Sequence, residues 1–154
     1  MLSGNTVYVG SDHAAFALKK RLLLKLRELF PDIVFTDLGC ESEQSCDYPE
    51  FARSVGEKVA NERARGILLC GTGIGMGMAA NKVSRVRAAV VWDTTSARLS
   101  REHNNSNVLC MGARLLGPAV VVDIATTWLR TPFLGGERHE RRLSLIEKME
   151  EVKR

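Results

Sequence analysis

A three-layer α/β fold, helices on both faces of a five-stranded parallel sheet, is predicted for this 154-residue chain from three observations. Short apolar runs recur along the sequence, helical patterns separate them, and one run ends in a glycine-rich junction of the kind that leads a buried strand into a helix. The composition agrees, since 45% hydrophobic and 26% charged residues with 4 Pro exclude disorder, collagen and coiled coil. A single domain over 1–154 is expected, large enough to bury a core without a disulfide or metal staple.

Val7 to Gly10 is the first strand, and a helical pattern from Ala14 to Phe30 follows until Pro31 closes it. Ile33 to Leu38 gives a second strand stopped by Gly39. After the polar loop Glu41 to Asp47, Tyr48-Pro49 opens a helix to about Arg63, with proline suited to the first turn. Gly66 to Cys70 is a third strand that runs into Gly71-Thr72-Gly73-Ile74-Gly75-Met76-Gly77 and a helix. Ala88 to Trp92 is a fourth strand, Thr94 to Glu102 a helix, Asn107 to Met111 a fifth strand and Pro118 to Leu129 a helix. A last helix, about 137–152, carries Leu143, Ile146 and Met149 at three-residue spacing and either caps its own domain or packs on a second copy.

The net charge of +4 raises the question of nucleic acid. Lys19, Lys20, Arg21, Lys25 and Arg27 alternate with leucines, however, and read as the solvated face of an amphipathic helix, so no nucleic-acid partner is expected. No apolar run approaches the roughly 18 to 20 residues of a membrane span, and the start Met-Leu-Ser-Gly-Asn-Thr lacks the pattern of a signal peptide. The expectation is a soluble cytoplasmic protein without a membrane partner. Cys40, Cys46, Cys70 and Cys110 form no CxxC pair and are read as free thiols, the first two and the last as packing residues, with no metal site.

In a parallel sheet, ligands bind beyond the carboxyl ends of the strands, which places Asp12, Cys70, Asp93 and the segment after Met111 along one rim. Cys70 followed by alternating glycines puts a thiol beside backbone N–H groups at a helix start, where an anion can be held and the thiolate is favoured. That makes it a candidate base or nucleophile. Asp12, His13 and His103 suit proton transfer to hydroxyls and are expected to reach the same rim. Arg114 follows the fifth strand, while Arg138 and Arg142, four apart, share a helix face and match phosphate oxygens; His139 and Arg141 are expected to point elsewhere.

Two nucleotide patterns fail. Gly75-Met-Gly-Met-Ala-Ala80 fits GxGxxA, and Asp93 lies at a ribose-binding distance, but the motif opens five residues past Cys70 instead of directly after the strand. No GxxxxGK followed by Ser or Thr is present.

Gly10-Ser11-Asp12-His13-Ala14-Ala15, Asp47-Tyr48-Pro49, Cys70 through Met76, Glu102-His103-Asn104-Asn105 with Asn107-Val108-Leu109, Gly112-Ala113-Arg114 and Arg138-His139 with Arg141-Arg142 together resemble the type B ribose-5-phosphate isomerases. Galactose-6-phosphate and allose-6-phosphate isomerases share that family. The resemblance spans nearly the whole chain. It implies a Rossmann-like sheet and a homodimer with active sites between subunits and the last helix at the interface, dimer against tetramer being left open. It further implies metal-free and cofactor-free interconversion of ribose 5-phosphate and ribulose 5-phosphate in the pentose phosphate pathway.

By the same resemblance Cys70 is the base. The amides of Gly71, Gly73, Ile74 and Gly75 stabilise the enediolate, Asp12, Thr72 and His103 help open the furanose ring, and Tyr48 and Asn104 place hydroxyls. His13, Arg114, Arg138 and Arg142 bind the phosphate. Some relatives carry a carboxylate further along the glycine loop, where this chain has Gly75, Met76 and Gly77. The alternatives are an isomerase of a six-carbon sugar phosphate and a non-catalytic sugar-phosphate sensor, which would need the arginines but not Cys70.

Overall fold

The computed structural model describes residues 5–151. Strands β1 (Thr6–Ser11), β2 (Val34–Asp37), β3 (Arg65–Cys70), β4 (Ala88–Val90) and β5 (Val108–Gly112) form one sheet in the order β2-β1-β3-β5-β4. Every pairing is parallel. The helices are α1 (Phe16–Leu29), α2 (Tyr48–Glu62), α3 (Ile74–Ala80), α4 (Thr94–Glu102), α5 (Pro118–Arg130) and α6 (Glu137–Glu151).

Period-two alternation divides the core between the two faces. Val7, Val9, Ile67, Leu69, Leu109 and Met111 pack under Leu22 and Leu26 of α1 and Ile124 and Trp128 of α5. The intervening Tyr8, Leu68, Cys70, Val108 and Cys110 pack under Ala52, Val55 and Val59 of α2 and Met76 of α3. The predicted three-layer sandwich is the one observed. Among the described residues no helix is long and apolar enough to cross a membrane.

Some boundaries differ from the sequence expectation. The first helix is preceded by a 3-10 turn, His13–Ala15, because the Asp12 carboxylate accepts the Ala15 N–H at 3.2 Å and tightens the entry. β4 stops at Val90, leaving Trp92 half exposed, and Asp93 caps α4 by accepting the Ser96 N–H at 2.7 Å. β5 runs to Gly112, in register with Cys70. The predicted end of the last helix, Val152, lies outside the described residues.

Of the basic residues of α1, Lys20, Arg21, Lys25 and Arg27 form the expected solvated face, but Lys19 does not belong to it. It is 1% exposed, its ammonium donating to Asp37 Oδ1 at 2.6 Å and to the Cys40 carbonyl at 2.7 Å. It shares its stripe with Ala15, Leu22 and Leu26, the inward positions of the helix. Asp37 also accepts the Gly39 N–H at 2.9 Å, and the Ser11 N–H donates to the Gly39 carbonyl at 2.6 Å. This buried ion pair fastens the loop after β2 to the end of β1, which positions the residues that follow.

Candidate active site

At the carboxyl edge of the sheet the ends of β1, β3 and β5 meet, with β1 and β3 flanking the point where the chain's direction across the sheet reverses. Cys70 closes β3, 5% exposed, and its sulfur receives the Gly73 N–H at 3.1 Å. Gly73 can occupy this N-terminal position of α3 because its φ is +81°, and a methyl there would lie 2.9 Å from the Met111 backbone. The Ile74 N–H donates to Thr72 Oγ1 at 3.3 Å. Two amides of the loop are thus engaged with its own side chains, while those of Gly71, Thr72 and Gly75 are not engaged by these two groups. Because α3 has only seven residues, the field at the loop is that of a few local N–H groups rather than of a long helix.

The other glycines make room for specific neighbours. A methyl on Gly75 would sit 2.6 Å from Tyr48 Cζ, and one on Gly71 would meet the Arg114 guanidinium at 3.3 Å. Gly77 packs against Val90, a purely structural role. Tyr48 and Arg114 therefore lie directly against the glycine loop, and the Arg114 N–H donates to the Gly71 carbonyl at 2.9 Å. Asp12, 7% exposed, follows β1 and is held by its bond to the Ala15 N–H. His13 Nδ1 accepts the Cys46 N–H at 3.3 Å, which assigns the neutral ring's proton to Nε2 and ties the histidine to the loop that leads into Tyr48.

The remaining thiols are structural. Cys110 is fully buried beside Cys70, and burial, reinforced by that neighbour, pushes its thiol far up. Burial also raises Cys46, against the opposing bond to His13. Asp93, the acid of the discarded nucleotide pattern, is the cap of α4, its carboxyl held down by the Ser96 backbone N–H and hydroxyl.

His103 and Asn104 do not reach this edge in the same chain, contrary to the sequence expectation. In a parallel sheet a helix returns the chain from the carboxyl end of one strand to the amino end of the next, and His103 caps the far end of α4. The segment after it is fixed at the amino edge: the Asn107 N–H donates to the Arg87 carbonyl at 3.1 Å, and the Gly66 N–H to the Asn107 carbonyl at 2.8 Å. Cys70, by contrast, is in register with Gly112 at the far end of β5, roughly 13 Å of strand away at 3.3 Å per residue.

A second cluster gathers at this amino edge. The His103 and His139 rings stack with centroids 4.6 Å apart and planes 9° apart, so His139 is turned onto His103. Arg138 and Arg142 stand exposed on the same helix. Partial burial, then His103, Arg138 and Arg142, hold the His139 imidazole below its ordinary value. Arg101 supports the loop from beneath: 4% exposed, it lies 5.6 Å from the Trp128 ring centroid and donates to Asn105 Oδ1 at 2.9 Å and the Thr131 carbonyl at 3.3 Å. Burial, with Arg65 and Arg87 nearby, lowers it to about 10. Glu150 anchors α6 by accepting from Ser84 Oγ at 2.7 Å and the Arg85 N–H at 2.9 Å.

Of the sequence-derived residues, Asp12, His13, Tyr48, Cys70, Gly71, Thr72, Gly73, Ile74, Gly75 and Arg114 converge at the carboxyl edge. His103, Asn104, Arg138 and Arg142 lie with the amino-edge cluster. His139 and Lys19 were not picked out by their chemistry. The inward stripe of α1 was the available signal for Lys19, whereas the stacking partner of His139 is 36 residues away in sequence and had none.

The ribose/galactose isomerase family model matches residues 7–146. The chain is 45% identical over 147 residues to a putative sugar phosphate isomerase of Bacillus subtilis, covering 94% of this chain and 97% of that one. It is 40% identical to ribose-5-phosphate isomerase B of Escherichia coli, with 92% and 94% covered. Among solved structures, ribose-5-phosphate isomerase B of Mycoplasma genitalium with bound ribulose-5-phosphate superposes with a TM-score of 0.90 at 38% identity over 98% of this chain and 99% of that one. The type B ribose 5-phosphate isomerase of Trypanosoma cruzi gives 0.94 at 43%, with the same coverage. With the parallel sheet, the Cys70 glycine loop and near-complete coverage in agreement, the chain belongs to the ribose/galactose isomerase family, the family of the type B ribose-5-phosphate isomerases.

Proposed function

We propose that the protein interconverts ribose 5-phosphate and ribulose 5-phosphate, with Cys70 as the base that moves a proton between C2 and C1. The observation that carries this reading is the sulfur at the mouth of the glycine loop, with a backbone N–H on it at 3.1 Å and Tyr48 and Arg114 against the same loop. A hydrogen bond donated to sulfur is stronger to a thiolate than to a thiol. In the aldose-to-ketose direction the thiolate takes the C2 proton of the open-chain aldehyde, and the electron pair passes through C1 to O1. The enediolate forms beside the amides of Gly71, Thr72 and Gly75, whose N–H dipoles offset the developing charge. Cys70 returns its proton to C1, and the exchange of protons between the two oxygens completes the ketose.

Ring opening precedes this step and needs a donor to the ring oxygen and an acceptor for the C1 hydroxyl. Asp12, Thr72 and His103 fill those roles, with Asn104 and Tyr48 on the hydroxyls and His13, Arg114, Arg138 and Arg142 on the phosphate. One chain holds these groups at two opposite edges, so the reading requires two copies, each lending its amino-edge cluster to the carboxyl edge of the other. Support for a homodimer also comes from the exposed apolar Met78, Trp92, Ile146 and Met149 on the side of the edge strand β4. The free thiols suit a reducing, cytoplasmic setting.

Purified protein assayed for ribulose 5-phosphate formation with a chelator present, beside Cys70→Ala, tests the proposal. Turnover in the parent and a loss of roughly 10^2- to 10^4-fold in the variant are expected for a removed base. Equal turnover would overturn Cys70 as base. Because the family model spans galactose as well as ribose substrates, allose 6-phosphate and galactose 6-phosphate serve as the alternative substrates.

A further inference from the structure

We propose that Asn105 is a positioning residue for Asn104, setting the turn that carries the Asn104 carboxamide to the substrate hydroxyls; this rests on the hydroxyl-placing role given to Asn104 above. Asn105 is where the chain leaving α4 turns back toward β5. Its φ is +45°, a left-handed conformation that asparagine adopts more readily than most residues with a Cβ. Its N–H donates to the Arg101 carbonyl at 3.1 Å, and that of Ser106 to the Ser100 carbonyl at 3.0 Å. Across this step the exposed Asn104 gives way to the buried Ser106.

Two guanidinium groups hold the turn from the protein side. Arg101, 4% exposed, donates through one Nη to Asn105 Oδ1 at 2.9 Å and to the Ser106 carbonyl. Half-buried Arg87 donates through Nε to the Asn105 carbonyl at 3.1 Å. Arg101 is itself set against the Trp128 ring and donates to the Thr131 carbonyl, so the clamp is built on α5 and its end rather than on the loop. Arg87 also lies 3.7 Å from Glu147 of α6, which links the turn to the helix that carries Arg138 and Arg142. The position therefore makes two demands, a left-handed backbone and an acceptor for a buried cation. Asparagine and aspartate meet both, glycine only the first and alanine neither.

The test measures kcat for conversion of ribose 5-phosphate beside inhibition by inorganic phosphate, which reads the anion grip without the sugar hydroxyls. In Asn105→Ala kcat is expected to fall roughly 10- to 100-fold, the cost of a misplaced group, with the phosphate inhibition constant within about twofold of the parent. Asn105→Asp is expected to recover most of the conversion, and Asn105→Gly to stand between the two. A side chain that served stability alone would lower the urea midpoint and leave kcat in place, and a general loosening of the edge would lower kcat and phosphate affinity together. A folded Asn105→Ala with parental kcat, equal losses of kcat and phosphate affinity, or a folded Asn105→Asp no better than Ala would each overturn the proposal. Should Asn105→Ala not fold, Asn105→Gly carries the same expectation of a lowered kcat at parental phosphate affinity, and a parental kcat there overturns it. A parent protein that converts no sugar phosphate would instead overturn the function proposed above.

Discussion

At the carboxyl edge of the sheet Cys70 and Asp12 are 5% and 7% exposed and each is fixed by a backbone N–H, whereas at the amino edge Arg138 and Arg142 stand in solvent on a terminal helix. The first cluster is built by strand ends, whose positions the ladder dictates to within a fraction of an ångström. The second depends on the end of a helix and on one stacked histidine pair. A base must meet a carbon-bound proton at one distance and angle and therefore belongs on the ladder, while groups that grip a phosphate tolerate movement. With the roles proposed above, the fold has placed each set accordingly, and in the proposed dimer a second copy would bring them into one pocket.

Mixing two inactive variants is the severest way to break this comparison. Cys70→Ala and His103→Ala are each expected to lose most activity alone. After subunit exchange, half of a random dimer population is mixed, and each mixed dimer has one intact site of two, so about a quarter of the parental activity should return. No recovery, from mixtures shown by mass to exchange subunits, would mean that one chain completes its own site and that the two edges do not cooperate across an interface.

The next effect concerns stability. Lys19→Met leaves Asp37 and the Cys40 carbonyl without their cation, and because Asp37 is about one-third exposed the loss should fall at the lower end of the roughly 3–5 kcal/mol seen for broken buried pairs. Urea denaturation checks it. The same loop carries Cys46, which holds His13, so substrate affinity should weaken as well. At the amino edge Arg138→Ala and Arg142→Ala should leave stability within about 0.5 kcal/mol but raise KM roughly 10- to 100-fold each, the worth of a charge-assisted phosphate contact. If both edges proved equally costly to stability, the contrast between a built edge and an appended one would fail.

The sequence made the carboxyl edge legible because glycine spacing and strand ends are local signals. Cys70, its loop and the helix start at Tyr48 could be located with no knowledge of the sheet order. His103 was misplaced for a topological reason: histidine chemistry drew it to the rim where ligands bind, although a residue at the end of a crossover helix must face the other way. Lys19 was misread because its charge was weighed ahead of its place on the inward stripe of α1. His139 needed a contact across 36 residues, which no periodicity encodes.

The smallest effect tests whether the amino-edge cluster is assembled in solution. His139 is held below the ordinary imidazole value by its partial burial and by His103, Arg138 and Arg142. As pH falls through about 6.5 the unfolded chain therefore takes this proton before the folded one does, so the contribution of His139 to stability is lost downward from there to its lower folded value. An NMR titration of the ring should find its midpoint below that of a free imidazole, and Arg142→Ala should move it up. Inorganic phosphate should also move it up, since an anion on Arg138 and Arg142 offsets the charge that opposes protonation, and by linkage phosphate should then bind more tightly as pH falls through the same window. A midpoint unmoved by phosphate would separate the arginines from phosphate binding and leave the grip to His13 and Arg114 at the opposite edge.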